Sequence, residues 1–137
     1  MTTPNEMNNI ELLSAFEKGT LNPAHYTHEV MLRIAWILIQ KYGTKVGTEK
    51  NCELKAAYFK NVLNSDKFNR TLTIAYSEIL NHFMEQSNSE DFDTLLLEYP
   101  RLRYNFKNLV KTHYGYDILK EHRKEEPKQA RPILFTF

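Results

Sequence analysis

The chain has little cysteine, no long uninterrupted apolar run and no dominant charge. Its 137 residues include one cysteine, Cys52, which excludes an intrachain disulfide. The longest apolar run, residues 30–39, is about half the length of a membrane span and is interrupted by Arg33. The N-terminal stretch MTTPNEMNNIELL has no apolar signal region. We therefore expect a soluble, cytoplasmic protein that does not associate with a membrane.

Positive and negative charges nearly balance in the chain as a whole. The formal net charge is +1, so no global field attracts nucleic acid. Residues 101–137 carry nine Lys/Arg and four Asp/Glu, which is +5, but a basic tail of this size is usually a solvated surface. Nucleic acid is not an expected partner. No pattern indicates a cofactor or an oligomeric state.

Standard catalytic signatures are also missing. The chain has no Gly-x-Ser-x-Gly, no phosphate loop, no Gly-x-Gly-x-x-Gly and no His-Glu-x-x-His, because Leu32 stands where the second histidine would be. No reaction class follows. His28 is the one candidate for general acid–base chemistry.

What the sequence does contain is helical periodicity. Apolar residues make up 42% and charged residues 26%, a balance typical of a globular domain. We predict an all-α, single-domain bundle of about five to seven helices over residues 1–137, with an extended C-terminal tail, RPILFTF. The predicted helices are 9–19, 28–42, 48–63, 69–86, one opened by a capping box at Ser87 and Glu90 that stops before Pro100, and one or two within 104–124.

Apolar residues at helical spacing predict which faces of these helices form the core, most clearly on the fourth helix, with Leu72, Ala75, Tyr76, Ile79, Leu80 and Phe83. The first should bury Ile10, Leu13 and Phe16. The third should bury Leu54, Ala57, Tyr58 and Val62. The second helix is apolar almost all round and should be the most buried, with Trp36 in the core.

The stretch HYTHEVMLRIAW, residues 25–36, carries the strongest candidates for a site. Its helix could begin at Pro23 or after Thr27, and we prefer a short turn at 23–26 followed by a helix from residue 28. Only the earlier start would place His25 and His28 one turn apart on the same face as paired ligands. Arg33 has apolar neighbours and cannot lose its charge. It must therefore meet a carboxylate such as Glu29, helix-end carbonyls or a bound anion.

A second polar stripe lies on the fourth predicted helix. Asn69, Thr73 and Tyr76 share one side of it, and polar groups beside an apolar face need partners. The side chains of Thr73 and Tyr76 could bond to each other or to the backbone one turn earlier.

Both stretches resemble motifs of a family of small, largely uncharacterised bacterial proteins. Members tend to read Phe-x-His-x-x-His-Leu-Arg-x-Ala-Trp and, later, Lys-Tyr-His-x-Thr-x-Thr-x-Ala-Trp. The counterparts here are YTHEVMLRIAW at 26–36 and KFNRTLTIAY at 67–76. FEKGTL at 16–21 and HYGYDILKEHRKEEPKQARPILF at 113–135 are similar to the family's opening and closing segments, so the resemblance spans most of the chain.

The resemblance implies three histidines from two helices, which suits a metal or polar ligand inside a bundle. The matching residues are His28, Arg33, Ala35, Trp36, Lys67, Thr71, Thr73 and Ala75. Met31 and Asn69 stand at the other two histidine positions, and both are poor ligands for zinc or iron(II). We therefore predict no tightly bound metal.

These patterns favour a polar pocket between the second and fourth helices that binds a small ligand, with an anion as one candidate. The predicted lining is His28, Met31, Arg33, Asn69, Thr73 and Tyr76. The alternative is a non-catalytic structural or protein-interaction module, a degenerate relative of a histidine-site family.

Overall fold

The computed structural model describes residues 3–104, 106 and 109. This part of the chain forms six α-helices and no strand, which confirms the predicted all-α class. Two single-turn 3-10 helices, Pro4–Glu6 and Pro23–His25, precede the first two. The predicted C-terminal tail, and most of the region 104–124, lie outside the described residues. The helices are Asn9–Lys18 (α1), His28–Tyr42 (α2), Thr44–Asn61 (α3), Arg70–Gln86 (α4), Phe92–Glu98 (α5) and Arg101–Tyr104 (α6).

The contacts of the chain gather into two compact units, residues 1–68 and 69–137. The first unit contains α1 to α3 and the second contains α4 to α6. The expectation of a single domain stays a prediction. None of the helices in the described part is long and apolar enough to cross a bilayer.

Helix α2 has the predicted bounds because the sequence supplies a capping residue at each end, Thr27 and Gly43. Thr27 Oγ1 accepts a hydrogen bond from the backbone N–H of Val30 at 3.2 Å, and the helix ends at Gly43. Trp36 is only 7% exposed, as predicted for a core residue. The buried residues of α2 are Val30, Leu32, Ile34, Ala35, Trp36, Ile37, Leu38 and Ile39.

Gly43 and Gly47 set how α2 and α3 meet. Gly43 alone separates the two helices, with a φ of +84° that favours glycine. A Cβ on Gly47 would lie 2.6 Å from the carbonyl oxygen of Leu38, so the helices cross in direct backbone contact there. The predicted start of this helix at residue 48 was therefore wrong: α3 begins at Thr44, and Gly47 is part of its packing face.

The predicted apolar stripes of α1 and α3 were wrong in part. Ile10 is 81% exposed, whereas Leu12 is fully buried. On α3, Ala57 is exposed and Tyr58 is buried. The buried residues of α3 are Gly47, Asn51, Cys52, Lys55 and Tyr58, a face that includes an amide and an amine.

Aromatic rings fill the first unit beside that face. The Phe16 ring stacks on Tyr26 at a centroid distance of 5.6 Å and meets Tyr58 at 5.0 Å. The Tyr58 hydroxyl donates a 2.7 Å hydrogen bond to the buried carbonyl of Leu21. This bond fixes the loop after α1 against α3, because a buried carbonyl needs a donor.

In the second unit, α4 matches its prediction to within one residue, but α5 begins later than predicted. Asp91, not Ser87, caps α5, and its carboxylate accepts from the N–H of Thr94 at 2.7 Å. The hydroxyls of Ser87 and Ser89 instead donate to Glu98 Oε1, and the Ser89 bond is 2.8 Å long. The capping-box interpretation failed because the Ser87 hydroxyl oxygen accepts instead from the backbone N–H of Ser89, at 2.9 Å.

Candidate functional site

The beginning of α2 separates the two histidines of the opening motif. His25 ends the 3-10 helix Pro23–His25, whereas His28 is the first residue of α2. Asn22 caps the short helix through Ala24 N–H, and Thr27 caps the long one through Val30 N–H. The two residues therefore do not share one continuous helix, and the paired-ligand geometry that required the earlier start is not formed.

Arg33 is half-buried and holds the N-terminal segment of the chain. Its Nη1 donates to the carbonyl of Pro4 at 2.9 Å, and its Nη2 donates to the carbonyl of Met7 at 2.8 Å. Its Nε and Nη2 also donate to Asn9 Oδ1 at 3.1 and 3.0 Å. Of the three partner types considered for this side chain, carbonyls at a helix end provide two of its acceptors. The predicted partner Glu29 is not among them.

Met31 brings an unpredicted residue into the candidate site. Lys55 Nζ on α3 lies 3.2 Å from Met31 Sδ and 5.9 Å from the centre of the Phe59 ring. Lys55 is only 7% exposed, and this burial lowers the pKa of its amine to about 8. A thioether is a weak acceptor, so it compensates little of the cost of burying an ammonium.

Asn69 has a divided role at the start of α4. Its Oδ1 caps the helix by accepting from the N–H of Leu72 at 3.1 Å. Its Nδ2 is buried and has no hydrogen-bond partner in the part of the chain that the structure describes. The whole residue is 9% exposed. Among the described residues, this leaves a buried amide donor without an acceptor. It lies at the N-terminus of a 17-residue helix, the end that carries partial positive charge.

The other members of the second polar stripe have their own contacts. The Thr73 hydroxyl donates to the carbonyl of Asn69 at 2.9 Å, and Ser77 donates in the same way to Thr73 at 3.0 Å. Bonding to the backbone one turn earlier was one of the two alternatives considered for this stripe. The Tyr76 ring meets Phe106 edge-on at 4.7 Å, and burial raises the pKa of its hydroxyl.

The six predicted site residues divide between the two units. His28, Met31 and Arg33 belong to the first, and Asn69, Thr73 and Tyr76 belong to the second. Within the units, Asn69 and Thr73 are in direct contact, whereas Met31 and Arg33 contact different partners. The predicted pocket stays a prediction. Residues 3–104, 106 and 109 contain no group of three or more His, Cys, Asp or Glu side chains placed to hold a metal ion.

Lys55 and the orphaned amide of Asn69 are the features that sequence reasoning missed. For Lys55 the sequence did contain a signal. Positions 51, 52, 55 and 58 have the spacing of one helix face, and the last of them is a tyrosine. Leu54 and Ala57 gave a competing stripe that looked more apolar. For Asn69 the cap was readable, but the burial of its nitrogen depends on tertiary packing.

No protein-family model matches this chain, and neither does any curated protein or any solved structure. The family resemblance stays a prediction that rests on its motifs.

Proposed function

We propose that this protein is a small helical ligand-binding protein whose ligand presents an oxyanion, such as a carboxylate or phosphate group, to the start of α4. The observation that supports this most is the buried Nδ2 of Asn69, which lacks a partner among the described residues. Leaving a buried donor unpaired costs about 1–3 kcal/mol, and a bound acceptor would recover that cost.

The local field favours an anion over a neutral acceptor. The N-terminus of a helix carries a partial positive charge, and α4 is 17 residues long. Its first turn is shielded from water, since Thr71 and Thr73 are 8% and 1% exposed. A small ligand suits such a place better than a large one.

The proposal changes the role of Arg33. A bound anion was one of the three partners considered for Arg33, but its Nε, Nη1 and Nη2 all donate to the N-terminal segment. In the proposed site the recognising donor is the Asn69 amide. Thr73 and Tyr76, which belong to the same unit as Asn69, stay predicted contributors.

The test is a titration of isotope-labelled protein with sodium phosphate, sodium sulfate and sodium acetate at constant ionic strength. The Asn69 side-chain amide resonances should shift with at least one of these anions. Asn69→Asp and Asn69→Ser keep an oxygen that caps α4 but lose the amide donor, and both should lose the response.

Asn8→Asp is the matched control. Asn8 caps α1 through Oδ1 at 2.8 Å from the Glu11 N–H, but it is exposed. This variant should respond to the anions as the wild-type protein does. Unchanged Asn69 resonances with all three anions, or equal binding by Asn69→Asp, would overturn the proposal.

A second candidate function, a non-catalytic structural or protein-interaction module, is favoured by Arg33. An arginine that ties two backbone carbonyls and one amide of the same chain is typical of a scaffold role. Under this alternative the anions leave the Asn69 amide unchanged. We also infer a cytoplasmic location, because a chain with a single, buried cysteine, Cys52, fits a reducing compartment.

A further inference from the structure

Exposed apolar side chains mark two surfaces of opposite charge. The first, called here the lysine patch, lies where α2 meets α3 and consists of Lys41, Tyr42, Lys45, Val46 and Lys50. Lys41 Nζ lies 5.3 Å and Lys50 Nζ lies 5.6 Å from the centre of the Tyr42 ring. Val46 is 50% exposed, although it sits in the first turn of a helix. Residues 40–50 carry three lysines against one glutamate.

The second surface, called here the acidic patch, lies on and before α5 and consists of Glu90, Asp93, Leu97 and Glu98. Leu97 is 78% exposed, and Asp93 precedes it by one helical turn. Beside Leu97 is an open hollow of about 480 Å³. Residues 87–100 contain four acidic residues and no lysine or arginine.

The two patches complement each other in charge and in apolar character. In each region an exposed apolar side chain lies among charges that are mostly of one sign, and the predominant signs are opposite. Each is also accessible in the single chain, since Val46, Leu97 and the charged members are exposed. We propose that the acidic patch of one copy of this protein binds the lysine patch of a second copy.

Such a contact would be head-to-tail. One copy contributes the acidic patch and the other the lysine patch, so the bound pair still has one free patch of each kind, the lysine patch of the first copy and the acidic patch of the second. The hollow beside Leu97 offers room for the Val46 side chain. The proposal is independent of the anion site at Asn69, because no residue belongs to both.

The association should be weak and sensitive to salt. Exposed ion pairs contribute little each and are screened by added salt, and the apolar contribution comes from only a few side chains. We expect the association constant to fall by about tenfold or more between low and high salt.

Sedimentation velocity of the full chain, over a range of concentrations at low and high salt, tests this directly. The wild-type protein should show a sedimentation coefficient that rises with concentration at low salt and less so at high salt. Lys45→Glu and Asp93→Lys should each remain monomeric. Lys60→Glu, an exposed substitution on α3 outside both patches, should behave as wild type.

Mixing the two defective variants tests whether the acidic patch of one copy binds the lysine patch of another. Lys45→Glu keeps an intact acidic patch and Asp93→Lys keeps an intact lysine patch, so an equimolar mixture should regain association. A wild-type chain that stays monomeric at all concentrations in low salt would overturn the proposal. So would association that persists in both single variants, or a mixture that stays monomeric.

Discussion

The amine nitrogen of Lys55 lies 3.2 Å from the thioether sulfur of Met31. The contact joins α3 to α2 inside the first unit, and it places a titratable group where water scarcely reaches. A buried amine favours its neutral form, which is why the pKa of Lys55 falls from 10.5 to about 8.

Lys55→Met should stabilise the protein and change its pH dependence. Between about pH 8 and 10.5 the unfolded chain binds more protons at this position than the folded chain, so the free energy of unfolding rises with pH. At neutral pH the folded protein bears the cost of the buried charge, about 3 kcal/mol at about 1.4 kcal/mol per pH unit. The substitution should raise the free energy of unfolding at neutral pH by up to that amount, and it should remove the increase of that free energy with pH.

Urea titrations at several pH values would measure this. The pH range that isolates the effect of Lys55 ends near pH 10. Burial raises the pKa of Tyr58 and Tyr76 in the folded protein, so above that pH the tyrosines of the unfolded chain ionise first and stability should fall. Lys60→Met, at an exposed position of α3, is the control and should leave the slope unchanged. An equal slope in the wild-type and Lys55→Met proteins would contradict the prediction.

Gly47→Ala should destabilise the first unit. The added methyl would lie 2.6 Å from the Leu38 oxygen and 2.9 Å from the Ile39 Cα, both backbone atoms, so the helices must move apart. Overpacking of this kind costs about 1–3 kcal/mol, more than the gain in helix propensity of about 1 kcal/mol. Chemical denaturation measures the loss. Glu53→Ala, on the exposed side of α3, should change stability by less than about 0.5 kcal/mol.

Arg33→Met should release the N-terminal segment without unfolding the bundle. The variant loses the donors that hold the carbonyls of Pro4 and Met7. Exchange of the Glu6 and Met7 amides, which bond to Thr3 and Pro4, should quicken by about tenfold or more. The Thr20 amide, bonded to Ala15, should keep its rate. Unchanged exchange at residues 6 and 7 would show that other contacts hold the segment.

Trp36→Ala should cost about 3–5 kcal/mol, because the indole is 7% exposed and its removal leaves a cavity beside α2. The loss is a large share of the total stability of a domain of this size. A thermal melt measures it, with the exposed Gln40→Ala as the control on the same helix. A melting temperature within a degree or two of wild type would contradict the assignment of Trp36 to the core.

The second helix was predictable because its signals agreed. Thr27 supplies a cap, Gly43 a stop, and the residues between them are nearly all apolar, so local preference and burial point the same way. The start of α3 was not predictable by the same route. Gly43 ends one helix and begins the next, and helix-breaking glycine at position 47 looked like part of a loop.

For Arg33 the sequence predicted a need for hydrogen-bond acceptors, but not which residues supply them. Arg33 was correctly chosen as a side chain that needs acceptors, but its acceptors lie 24 to 29 residues earlier in a segment with no strong pattern. Lys55 escaped notice because a lysine is normally assigned to the surface. The acceptors of Arg33 and the burial of Lys55 both depend on tertiary packing, which local sequence patterns do not reveal.

The single residue between α2 and α3 has a consequence for how the chain folds. With only Gly43 to close, the two helices can dock without ordering a long loop, and little chain entropy is lost in bringing them together. The residues that contact each other across these two helices are close in sequence, and structures with such local contacts form early and fast. We expect this helical hairpin to appear first in refolding, with the segment held by Arg33 added later. Gly47→Ala should then slow the folding rate, whereas Arg33→Met should mainly speed unfolding.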